Sequence, residues 1–190
     1  MQLVFATHNL NKLEEVRQLL PPKIELLSLA DIGCTQEIAE TGKTLEENAK
    51  IKALYVKQTY GLNCFSDDSG LEIDSLNGAP GVYSARYAGP QKDNEANIQK
   101  VWRQLAKSNN RAAQFRTVIA VYIDHKSWTC EGLIRGRLIA EKRGQKGFGY
   151  DPIFIPKGYS QTFAELGEEV KNRISHRARA MQLFLESLTK

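Results

Sequence analysis

Cysteine is scarce in this chain of 190 residues. Cys34, Cys64 and Cys130 lie far apart, form no CxxC pair and show no zinc-ligand spacing. That argues against a disulfide framework or a zinc centre, and the three are expected to be buried thiols in a reducing cytosol, which makes the protein cytoplasmic. Long apolar runs are also missing, so no membrane association is expected. The start, Met1-Gln2-Leu3-Val4-Phe5, has no basic region ahead of its apolar residues and reads as a first strand, not a signal peptide. There is no low-complexity tract, and 42% of the residues are hydrophobic, enough for one folded domain spanning 1–190. The net charge of +4 fits a small anionic ligand, and without a dense basic face no nucleic-acid partner is expected.

The stretch that organises the rest is Ser66-Asp67-Asp68-Ser69-Gly70, between the β-prone runs 62–65 and 71–74. Adjacent carboxylates repel, and a site that holds both ionised calls for a cation. Hard oxygen ligands on a short segment suit Mg²⁺, which keeps several waters and bridges to phosphates. Taken alone, the stretch reads as a strand end or turn, because Asp, Ser and Gly are ordinary turn formers.

Along the chain, residues 2–6 read as a strand, followed by Thr7-His8-Asn9-Leu10-Asn11-Lys12 and a helix with Leu13, Val16, Leu19 and Leu20 on one face. Asn9 is placed to cap that helix, whose free N–H groups would suit an anion. Residues 24–29 read as a second strand, and 30–43, with Glu40, as loop. Thr44 and Glu47 form a capping box that starts a helix over 45–60, with Lys52 on its apolar arc and Asn48 at the edge. A turn at 77–81, a helix over 93–107, and strands over 113–123 and 128–140 joined at His125-Lys126 come next. In Gly147-Phe148-Gly149-Tyr150-Asp151-Pro152 the glycines allow close backbone approach to a ligand, Phe148 offers a ring face, and Asp151 offers an acceptor. A short strand over 153–155 precedes a helical end, where Thr162 and Ser175 are candidate caps and His176 and Arg177 open the last helix.

Together these segments resemble the inosine triphosphatase family, pyrophosphatases of deaminated purine nucleoside triphosphates. The pieces that carry the likeness are Ala6-Thr7-x-Asn9-x-x-Lys12, Glu40-Thr41-Gly42, Glu47-Asn48-Ala49, Ser66 to Leu71, Gly78 to Tyr87, Gly147 to Pro152 and Ser175-His176-Arg177. They occur in this order over essentially the whole chain. His8 and Asn11 stand where many members carry glycine.

The resemblance implies an α/β fold with a long twisted mixed β-sheet flanked by helices, two lobes and a central cleft, and a homodimer. It implies hydrolysis of ITP, dITP and XTP to the monophosphate and pyrophosphate, with Asp68 as the base and Glu40, Asp67 and Asp68 around Mg²⁺. Thr7, His8, Asn9, Leu10, Asn11, Lys12, Lys52 and Ser69 would bind the phosphates. Phe148, Gly149, Tyr150, Asp151, Lys171, His176 and Arg177 would bind the rest of the substrate. The competing expectations are a nucleotide hydrolase of other base specificity and a nucleotide- or RNA-binding module without turnover. The basic stretches 142–146 and 171–179 motivate the second.

Overall fold

The computed structural model describes residues 1–188. One mixed six-stranded sheet in the order β2-β1-β3-β4-β5-β6, flanked by helices, makes this an α/β fold. Its strands are β1 (Gln2–Phe5), β2 (Glu25–Leu27), β3 (Cys64–Ile73), β4 (Ala112–Ile123), β5 (Lys126–Leu138) and β6 (Phe154–Pro156). The helices are α1 (Leu10–Leu19), α2 (Leu45–Tyr60), α3 (Asn94–Leu105), α4 (Phe163–Ile174) and α5 (His176–Ser187). β1 pairs in parallel with β2 and β3, and β5 antiparallel with β6. No described helix is long and apolar enough to cross a membrane.

The chain forms two compact units, and β3, β4, β5 and α5 contribute residues to both. The first comprises residues 1–68, 117–131 and the chain from 180. Its core holds Leu3, Phe5, Val16, Phe65, Ile119 and Phe184, with the Phe65 ring stacked on Phe5 at 4.8 Å and on Phe184 at 5.0 Å. Each such side chain contributes roughly 1.5–3 kcal/mol by leaving water. The second comprises residues 69–116 and 132–179 and packs Leu71, Val101, Phe115, Ile134, Phe154 and Phe163.

The helix starts follow their capping chemistry. The Asn9 side chain accepts from the N–H groups of Asn11 and Lys12, and Thr44 and Thr162 each make a reciprocal capping box.

Three local expectations are corrected. Asp67 and Asp68 lie inside the ten-residue strand β3, not at a turn, because the segment is buried and runs on in the ladder that β1 begins at Cys64 and Phe65. Burial and pairing override the turn propensity of Asp, Ser and Gly. The β4–β5 hairpin turns at Asp124 and His125, with Asp124 at φ 51°, so Lys126 already belongs to β5. α4 is broken at Gly167 (φ 77°, ψ 178°), a conformation other residues adopt only with strain, so the chain redirects before Lys171.

Candidate active site

The first unit gathers carboxylates and lysines around β3. Successive strand side chains point to opposite faces, so Asp67 and Asp68 do not crowd each other as the bare sequence suggests. Asp67 Oδ1 accepts from Lys12 Nζ at 2.9 Å, and Asp68 Oδ2 accepts from Asn48 Nδ2 at 3.1 Å. Lys52, on the buried face of α2, donates to Glu40 Oε1 at 2.5 Å and to the Asp67 carbonyl at 2.7 Å, with Asp68 Oδ1 4.0 Å away. In the described contacts the carboxylates of Glu40, Asp67 and Asp68 thus lie against the ammonium groups of Lys12 and Lys52.

Burial pushes the Asp68 carboxyl above the usual range and Glu40 adds to the shift, while Lys52, Lys12 and Asn48 oppose it without cancelling it. Burial also pulls on Lys52, yet the charges of Asp68, Glu40 and Asp67 outweigh it and hold its amine above the ordinary value. The asymmetry has a physical basis. Lys52 has three carboxylates to offset its desolvation, whereas Asp68 meets Lys52 only at 4.0 Å.

Asn48 has no role assigned by sequence, where its signals are a polar residue at the edge of an apolar arc and its place in the Glu47-Asn48-Ala49 piece of the resemblance. It is fully buried. Its Oδ1 accepts from the Gly42 N–H at 2.8 Å, which leaves its amide nitrogen for Asp68. Gly42 has no room for a side chain, since a Cβ would stand 2.6 Å from Glu47 Cβ and 2.7 Å from Asn48 Oδ1. Asn48 therefore ties the loop after Glu40 to Asp68.

The segment Thr7–Lys12 is less open to an anion than expected. The Asn11 and Lys12 N–H groups go to the Asn9 cap, the Asn9 N–H goes to Thr7 Oγ1, and the His8 ring meets the Gln36 carbonyl at 3.0 Å. Leu10 is exposed.

The second unit gathers the other predicted residues. Asp151 Oδ2 accepts from Lys171 Nζ at 2.6 Å and from the Phe148 N–H at 2.9 Å, and both charged side chains are buried. Lys171 Nζ also lies 4.6 Å from the centre of the Phe148 ring, and the Arg177 guanidinium carbon 6.0 Å from it. Arg177 Nη2 donates to Ser69 Oγ at 3.1 Å. Ser175 caps α5 through the Ala178 N–H, which sets His176 and Arg177 on its first turn. Gly149 lies at φ 61° between Phe148 and Tyr150, and Tyr150 turns inward. Phe115, which no sequence pattern singles out, stacks its ring on His176 at 4.8 Å and 14°.

The Ham1 family matches residues 3–187. The chain belongs to that family. Among its relatives, a dITP/XTP pyrophosphatase of Christiangramia forsetii is 54% identical over 190 residues, all of both chains. One of Bacillus subtilis is 49% identical over 185 residues, 95% of this chain and 93% of the other. Among solved structures, the Ham1 protein of Staphylococcus aureus superposes with a TM-score of 0.91 at 37% identity, over 100% of this chain and 98% of that one. A HAM1 protein from Coxiella burnetii gives the same TM-score at 40% identity. The inosine triphosphatase resemblance and the Ham1 match describe the same kinship.

Proposed function

We propose that this Ham1 protein hydrolyses deaminated purine nucleoside triphosphates, dITP, ITP and XTP, to the monophosphate and pyrophosphate, clearing them from the nucleotide pool. The observation that carries the reading is Asp68, a buried carboxylate whose acid form burial favours, held between Asn48 and Lys52. Such a group suits proton transfer. It accepts a proton from the attacking water, and Asn48 keeps its carboxylate oriented. Lys12 and Lys52 leave or share their carboxylates to meet phosphate oxygens, and the Ser69 hydroxyl donates to the phosphate chain. Reactions of this kind rest on positioning and charge neutralisation.

The carboxylate oxygens of Glu40, Asp67 and Asp68 fit Mg²⁺ by donor type, hard oxygens grouped around Lys12 and Lys52. Among the described residues no ready-made group of three or more His, Cys, Asp or Glu ligands stands together, and Mg²⁺ needs none, since it commonly takes one or two carboxylates plus water and phosphate. When bound, the ion would neutralise triphosphate charge.

Phe148 stacks on the purine, while Lys171, His176 and Arg177 present donors to a substrate with a 6-oxo edge and Asp151 accepts from the ring N–H. Adenine reverses that pattern with its 6-amino group and unprotonated N1. A site built on hydrogen bonds rejects such an analogue by roughly 10⁴. The proposal extends to a homodimer working in the cytoplasm.

Product analysis tests the reaction. With dITP and Mg²⁺, and no added pyrophosphatase, the expected product is pyrophosphate in one-to-one ratio with dIMP. Sequential release of orthophosphate would refute cleavage between the α and β phosphates.

Two residue-level outcomes follow. Asp68 must be ionised to act, so kcat/KM for dITP is lost as pH falls through its raised pKa. Lys52→Gln removes a cation that lowers that pKa and is expected to move the acid limb to higher pH; an unmoved limb would detach Asp68 from it. Phe115→Leu removes the ring that stacks on His176 and also packs on Phe154 and Phe163, and is expected to narrow the dITP-over-dATP preference by about tenfold, within the roughly hundredfold that a misplacement of about 1 Å can cost. Unchanged selectivity would leave Phe115 a packing residue only.

A further inference from the structure

Next to the candidate base-binding residues runs a set of contacts that none of the roles above employs. Ser84, in the short 3-10 turn Gly81–Arg86, is buried. Its Oγ accepts from the Leu71 N–H at 2.8 Å and donates to the Gly81 carbonyl at 2.6 Å. The turn sits on β3 without slack, for a Cβ on Gly70 would stand 2.5 Å from the Gly81 carbonyl oxygen. Ser84 is thereby seated on the two residues that follow Ser69. Its own carbonyl accepts from the Tyr150 hydroxyl at 2.8 Å.

Tyr150 is 5% exposed, and burial, with the nearby Tyr87, pushes its phenol up, so it remains a donor. It directly precedes Asp151, whose carboxylate holds the Phe148 N–H. From the other direction, Ser69 is bonded to Arg177, which lies beside the Phe148 ring. The contacts close into a circuit: Ser69, Arg177, Phe148, Tyr150, Ser84, Leu71 and back along β3.

We propose that the bond from the Tyr150 hydroxyl to the Ser84 carbonyl is a latch that positions the Phe148–Asp151 loop and so sets the base selectivity of the site. Tyr150 is then a positioning residue, acting through Phe148 and Asp151. The inference deepens the base-pocket reading and rests on it. The physical need lies in glycines in and before the loop. Gly149 inside it and Gly144 and Gly147 just ahead of it all have positive φ, and a backbone rich in such residues has many alternative states to lose. A buried hydroxyl with one fixed acceptor selects one of them. Selection by hydrogen bonds requires that, because an error of about 1 Å in placement costs roughly a hundredfold in rate.

Tyr150→Phe retains the ring and deletes only the hydroxyl. In hydrogen exchange on the full chain, amides of residues 145–149 are expected to exchange about tenfold faster than in the wild type, while those of 113–121 stay unchanged. The kcat/KM ratio of dITP over dATP is expected to fall about tenfold, with KM for dITP rising more than kcat falls. Ser84→Ala, which unseats the turn from Leu71, should act in the same direction, and the double variant should be no worse than the worse single one, because both act along one path. A lowered melting temperature with selectivity within about twofold of wild type would reduce Tyr150 to a structural residue. Unchanged exchange at 145–149 would refute the latch itself. If the wild type does not distinguish dITP from dATP, the base-pocket reading falls, and the exchange experiment alone decides whether the latch exists.

Discussion

Asp68→Asn is expected to reduce pyrophosphate release from dITP by about a thousandfold or more, toward the upper part of the ~10²–10⁴ typical of a lost general base because the same change weakens the metal-binding set. The protein should remain folded, and linkage gives the direction of the stability effect. The carboxyl of Asp68 is raised in the folded state, so its contribution to stability is fully present below its unfolded pKa and is lost as pH rises through the folded value. An asparagine mimics the neutral form and keeps that contribution at neutral pH. It can still accept from Asn48, and Lys52 retains Glu40 and the Asp67 carbonyl. In EDTA at pH 7.5 the variant should therefore melt at or above the wild-type temperature. Turnover within about tenfold of wild type would remove Asp68 as the base. A marked fall in melting temperature with loss of activity would mean that the carboxylate is structural.

The buried pair Lys171–Asp151 carries the second large effect. Removing one partner of a buried ion pair costs about 3–5 kcal/mol, since the other charge stays desolvated. For a chain of this size that corresponds to a fall of about 10 °C in melting temperature, at roughly 2–4 °C per kcal/mol. Lys171→Met is expected to show it, and also to raise KM for dITP, because the Phe148 ring loses the ammonium 4.6 Å from its centre. Adding Asp151→Asn should recover part of the stability without recovering KM. A single variant as stable as wild type would contradict this, showing that Asp151 is not left as an uncompensated buried charge.

Periodicity and capping chemistry made the helices legible: Asn9, Thr44, Thr162 and Ser175 begin or cap them where their side chains predict. The Asp67-Asp68 stretch was misread locally because turn propensity is a property of neighbours in sequence, whereas the strand is imposed by pairing with β1 and by burial. The charged and aromatic members of the candidate site stood out by residue type. Their partners did not. Phe115 is an ordinary strand residue in sequence, and Asn48 and Ser84 stand in segments of the family likeness that show no task for them; their roles emerge because the fold brings Asn48 to Asp68, Phe115 to His176 and Ser84 to Tyr150. The direction of Lys12 was equally hidden, since its helix position points to an anion while its amine reaches Asp67 from 55 residues away in the chain.

The activity expected of this chain is α–β phosphate cleavage combined with selection of the 6-oxo purine. Its most direct test is the kcat/KM of pyrophosphate release with Mg²⁺, measured in parallel on dITP, XTP, ITP, GTP and ATP. Rapid release is expected from dITP, XTP and ITP, and release from ATP slower by about 10⁴. Equal rates on dITP and ATP would contradict that selection.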